Sequence, residues 1–313
     1  MFKKVRLVML IALLSGHAQW ALAAIDGQTR LKPFTLAYEG SNTSLSAMTK
    51  KVEGRLKASG FQVIGQYNPY STANILIITS KELKKIAAKS SYGGFGAALR
   101  VAITDKDKKI QVTHNNPNYV GLAYNMKNDL ANVKTRLKKA LGYVNDFGGG
   151  EGVKASDLPD YNYTFGLEGF TGFFELATFK SHRAALQAVE SNLEKGKFGI
   201  SKVYRLDVPG KQQSVFGLSL KADAESQPFL NDEYVMNIID YHDTRSTPHL
   251  PYELMVNGNK VIAMHPHFRL AINFPDLKMF GKNSFGKLMD LPYVYEEFFI
   301  KAVGGKWPPE DNW

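Results

Sequence analysis

Four histidines, His242, His249, His265 and His267, fall within 26 residues of a chain that holds seven in all. Imidazoles at that density can chelate a borderline cation, and Asp243 or Glu253 in the same stretch could complete three or four ligands. His265 and His267 project from one face if the chain stays extended through them. Pro266 between them can bend it. On these residues a divalent metal or haem would be held by His242, Asp243, His249, His265 and His267. No HExxH or other zinc-type spacing accompanies them, so hydrogen-bonded structural histidines are the competing reading. Glu253 and Arg269 are charged within an otherwise apolar unit. They could grip the polar end of a ligand together with His249, His265 and His267. Alternatively they form a salt bridge tying a hairpin to the segment that follows it. Nothing in the spacing names a catalytic residue. There is no GxSxG elbow, and the loop Gly93-Gly94-Phe95-Gly96 precedes a strand with no Gly-Lys-Ser/Thr after it, unlike a phosphate cradle.

These residues depend on one unit for their placement. Tyr252–Val256 and Lys260–Met264 read as strands around Asn257-Gly258, a dipeptide suited to a tight hairpin because both central positions favour positive φ. The unit has an echo. At a constant offset of 151, Leu99–His114 matches Leu250–His265 without a gap, pairing Ile103 with Leu254, Lys109 with Lys260 and His114 with His265. The echo lacks neighbouring ligands, so His114 reads as structural.

The flanking elements follow the same order in both halves. A strand at Phe34–Tyr38 precedes a helix at Leu45–Ala58, where Leu45, Met48, Val52 and Leu56 share one face. Strands are expected at Phe61–Tyr67, Asn74–Thr79, Leu99–Thr104 and Lys109–His114, with helices at Lys81–Lys89 and Asp129–Tyr143. In the second half a strand at Gly172–Phe179 precedes a helix capped by Ser181. Strands at Ile200–Asp207 and Ser214–Leu220, a helix near Glu233–Tyr241 and a terminal helix at Tyr293–Val303 complete it. The pattern predicts an α+β fold: two similar two-layer domains, each a largely antiparallel sheet with helices packed on one face. The expected units are 24–147 and 165–313, joined by a glycine-rich linker at 148–164.

The strand–turn–strand unit followed by a Pro-x-aromatic corner resembles the domain of unknown function 302 family, here present twice. Gly60-Phe61 after the first helix and the stretch LPYELMVNGNKV carry the likeness. The first copy departs from it in having Arg100 at the proline position and two extra residues, Asn115 and Asn116, after the histidine. The resemblance implies a small α+β fold with a tendency to dimerise, and no established chemistry.

Lys3, Lys4 and Arg6, the apolar run Leu7–Leu14 and the sequence Ala21-Leu22-Ala23 have the pattern of a cleaved secretory signal over residues 1–23. Its apolar run is well short of the ~20 residues that span a bilayer. The expected location is periplasmic or secreted after cleavage near Ala23. The chain has no cysteine, which excludes disulfides, thiolate metal sites and a cysteine nucleophile. Residues 24–150 carry 19 Lys/Arg against 8 Asp/Glu, and residues 151–313 carry 17 against 21. Opposite net charge lets the halves attract each other or steer an anionic ligand. Scattered lysines and export argue against nucleic acid, and no transmembrane segment or further apolar span is expected. The leading expectation is a non-enzymatic binding protein for a small-molecule or peptide ligand, with its pocket between or at the mouth of the two domains. In that picture loop 90–98 is a lid and loop 240–249 a ligand-contacting wall. The alternatives are a metal-assisted hydrolase using the second half's histidines and a structural or assembly protein, with a homodimer possible in each case.

Overall fold

The computed structural model describes residues 25–163 and 167–308, so the expected leader lies outside the described residues. In chain order the strands of the first half are β1 (Arg30–Leu31), β2 (Phe34–Gly40), β3 (Gln62–Tyr67), β4 (Ala73–Thr79), β5 (Leu99–Lys106), β6 (Lys109–Asn115) and β7 (Asn145–Phe147). Its helices are α1 (Leu45–Ala58), α2 (Lys81–Ala87), α3 (Pro117–Ala123) and α4 (Ala131–Leu141). The short β8 (Val153–Lys154) pairs with β1. Then come β9 (Phe173–Thr178), α5 (His182–Glu194), β10 (Ile200–Asp207), β11 (Gln213–Leu220), α6 (Asp232–Ile239), β12 (Tyr252–Asn257), β13 (Lys260–Met264), α7 (Pro266–Asn273) and α8 (Leu291–Val303). The fold is α+β, with antiparallel sheets backed by helices.

Helix α1 shows why the sequence folds this way. Ser44 caps it by accepting the Ala47 N–H, and Met48, Val52 and Leu56 bury one face against β3, β4 and β5. Lysines occupy its other face. α5 repeats the arrangement: Ser181 accepts from Ala184, and Ala185, Val189 and Leu193 are buried.

The first sheet runs β3-β4-β5-β6-β2-β7 and the second β10-β11-β12-β13-β9. Taken in order from β3 and from β10, the first five strands of each sheet connect along the chain in the same way. The two central hairpins also share their register: Ile103 faces Val112 in one and Leu254 faces Ala263 in the other. The turn differs from expectation by one residue. Asn257 pairs with Lys260, so the central positions are Gly258 and Asn259, with Gly258 at φ +61. The first hairpin places Asp107 and Lys108 there, at φ +52 and +66. A two-residue loop between strands of this twist needs such angles.

Two helices do not follow from the periodicity, α3 and α7. Each is short and starts at a proline directly after a strand, where a pre-set φ and a missing N–H suit the first turn. The second hairpin strand ends at Met264 as expected, and the chain turns into α7 at Pro266 instead of staying extended through His265 and His267.

The halves meet through reciprocal loops. The turn Gly93–Gly96 of the first half packs on β11 and β12, and Thr247–His249 of the second packs on β4, β5 and β6. A Cβ on Gly94 would lie 2.8 Å from Met255 Sδ and 3.2–3.3 Å from Val215 and Val208, so a side chain there would have to displace packing of the other half. Loop 90–98 is thus mostly part of the packed seam: Phe95 is wholly buried. The segment 148–163 holds β8, and Ala155 and Leu158 are buried in an apolar core continuous across both halves.

Candidate functional site

Two clusters gather the residues that could do chemistry, and they differ in their access to solvent. The first lies in the seam. Glu253, completely buried on β12, forms ion pairs with Arg100 of β5 and with Arg269 of α7, the latter at 3.2 Å. Its other oxygen accepts the hydroxyl of Tyr204. Arg269 also donates to the backbone oxygens of His249 and of Pro251, the second at 2.5 Å. Burial tends to lower the Arg100 pKa, but the Glu253 carboxylate more than offsets this and holds the guanidinium firmly charged. Two cations on one sealed carboxylate make a structural tie between halves.

Other buried polar bonds cross the same seam. Tyr67 donates to Asp232 at 2.5 Å, Thr104 to Thr247 at 3.0 Å and Asn115 to the Pro248 carbonyl at 3.0 Å. Burial raises Asp232 and Asp240 to about 7, and lowers His114 to about 4. A polar recess of about 120 Å³ opens at the seam beside Tyr70, Asp240 and Arg245.

The second cluster is at the β13–α7 junction. His265 caps α7, its Nδ1 accepting the His267 N–H at 3.3 Å. His267 sits in the first turn. Glu168, in the loop before β9, places Oε2 3.2 Å from His265 Nδ1 and 3.9 Å from His267 Nδ1. Antiparallel pairing explains the meeting: Phe173 faces Met264, so residues just before β9 lie beside those just after β13. Phe174 packs edge-on to the His265 ring at 4.7 Å, and Phe285 lies 5.1 Å from the His267 ring. Desolvation lowers the pKa of both histidines, His265 to about 4, despite the opposing pull of Glu168. Above this cluster is a recess of about 410 Å³ walled by Leu167, Met289, Pro292, Tyr293 and Glu296. A similar volume near Ile25, Asn118 and Lys127 has no convergent ligating groups among the described residues.

The structure therefore divides the expected site. It unites His265 and His267, adds Glu168, and separates them from the rest. Glu253 and Arg269 pair with each other inside the seam, with no opening to a ligand. His249 is buried there too, its ring against Phe274, and burial beside Arg269 and Arg100 drives its pKa well down. His242 and Asp243 lie on an exposed turn across the seam, where His242 rests on Tyr241 and the Asp243 carbonyl accepts from Gln111. The five-residue metal set is not assembled. Two partners were missed: Glu168, whose only signal is a pairing register between strands far apart in sequence, and Arg100, visible as the departure from proline.

No family model and no curated protein matches the chain. Among solved structures, the crystal structure of an uncharacterized conserved protein DUF302 from Bacillus stearothermophilus is similar. It shares 18% identity and covers 33% of this chain and 94% of its own, with a TM-score of 0.31. No described helix is long and apolar enough to cross a membrane.

Proposed function

We propose that this chain is a binding protein, exported to the periplasm or beyond by cleavage near Ala23, that takes a small polar ligand in the recess over Glu168, His265 and His267. One observation carries this reading: the only set of three metal-ligating types found to converge among the described residues faces that recess. Its volume is in the range of small-ligand sites, and its wall combines apolar groups such as Leu167 and Pro292 with the carboxylates Asp290 and Glu296 beside the three convergent groups. The seam supplies the scaffold instead, its Glu253 carboxylate shared by two guanidinium groups and closed to solvent. Tandem duplication accounts for the constant offset of 151 and the shared strand connections. On this view one half kept the histidine corner and the other became its partner in packing.

A native mass spectrum of protein purified from the cell envelope tests the proposal. The expected result is a mature chain beginning at Ala24 or Ile25 that carries a small additional mass, released on denaturation. A bare polypeptide, in every preparation and under gentle ionisation, would count against a retained ligand.

A further inference from the structure

We infer that Glu168, His265 and His267 form a three-ligand site for a borderline divalent cation, of the zinc or cobalt type, at the floor of this recess. The inference rests on the recess being the working site and names the chemistry that would be held there. One donor atom from each residue lies within 4.8 Å of the other two. A cation bonded at roughly 2.0–2.2 Å in tetrahedral geometry needs its ligand atoms roughly 3.3–3.6 Å apart. The separations of 3.2 and 3.9 Å from Glu168 Oε2 to the two Nδ1 atoms bracket that spacing.

The hydrogen bonds also point to a cation. His265 Nδ1 accepts the His267 amide proton, which places the ring proton of a neutral imidazole on Nε2. Glu168 Oε2 faces that same Nδ1, is buried, and has no hydrogen-bond partner among the described residues. Glu168 Oε2 is thus a buried acceptor without a donor, and a cation at His265 Nδ1 would take the place of the long 3.3 Å amide bond on that atom's single lone pair. A buried acceptor left this way is costly, and a shared positive charge removes the cost. The site is also held in shape. His265 is fixed at a strand end, His267 by the first turn of α7, and both rings by phenylalanines. Three protein ligands leave a tetrahedral ion one open position, which here faces the recess, where a ligand oxygen or nitrogen could coordinate.

Cobalt(II) titration of the chelator-treated full chain tests the site, read by visible absorption and by dialysis stoichiometry. One ion should bind per chain, with the bands of a nitrogen–oxygen ligand set. Glu168→Gln, which keeps the size of a half-exposed loop residue, and His267→Gln should each weaken binding about 100-fold or more while circular dichroism stays native. His242→Ala should bind as the parent does. Unchanged affinity in Glu168→Gln would overturn the assignment, as would the absence of saturable binding to the parent chain. If cobalt fails to bind but native mass spectrometry still finds an organic molecule, the metal is refuted and the ligand pocket stands.

Discussion

Glu253 is the residue on which the seam depends electrically. It is the shared counter-charge of two guanidinium groups that are 1–2% exposed, and it accepts from Tyr204 as well. Replacing it with glutamine leaves both cations buried without a counter-charge, whereas Arg100→Met leaves the Glu253–Arg269 pair intact. Glu253→Gln should therefore cost about 3–5 kcal/mol in urea unfolding and Arg100→Met clearly less. Equal losses would contradict the account. His114 gives a test in pH. Its folded pKa of about 4 lies below the ordinary value of 6.5, because burial disfavours the imidazolium. The unfolded chain then binds more protons between those values, so this contribution is complete above pH 6.5 and is lost as pH falls towards 4. Asp232 and Asp240, raised to about 7, act with opposite sign and lose stability as pH rises from near 4 to 7. The difference between wild type and His114→Gln isolates the histidine. The variant should show a shallower acid decline, by up to about 3 kcal/mol across the window. Parallel profiles would show that His114 is not held neutral. At this scale the sequence displayed the Glu253–Arg269 pair and the His265–His267 pair but not their third members. A third member arrives through tertiary pairing, which no local spacing encodes.

At the scale of elements, periodicity located α1 to the residue and β10 likewise, since a long apolar stripe or a strand bounded by turns leaves little freedom. It missed α3 and α7 because each is a seven- or eight-residue helix buried almost all round, with no polar face to set a period. The glycine-rich loop was legible as a special backbone but not as an interface, because the atoms that require Gly94 belong to the other half. A valine there must displace Met255, Val215 and Val208, whose atoms lie 2.8–3.3 Å from the added Cβ. Gly94→Val should therefore destabilise the protein by about 1–3 kcal/mol through overpacking. Gly54, with nothing within 4 Å of such a Cβ, gives the control: Gly54→Ala in α1 should be neutral or stabilising by up to about 1 kcal/mol. Thermal unfolding of the two variants decides it, and similar melting temperatures would mean that the seam is not tightly packed at Gly94.

At the scale of the whole molecule, the two halves share one core, exchange loops, and join through a sealed charge cluster. Opposite net charge hinted at their attraction, and the sequence reading put a pocket between the two halves or at their mouth, where polar bonds fill much of the seam. The larger recess lies instead on the flank of the second half, at the β13–α7 corner. Function in this account belongs to that corner, and the seam only supports it. Amide hydrogen exchange on the protein as isolated, compared with the same protein stripped of its ligand by chelator and dialysis, tests this division most directly. The account predicts greater protection in the isolated form at residues 167–173 and 265–270, with the seam loops 90–98 and 240–249 unchanged. Protection confined to the seam loops, with the β13–α7 corner indifferent, would contradict it.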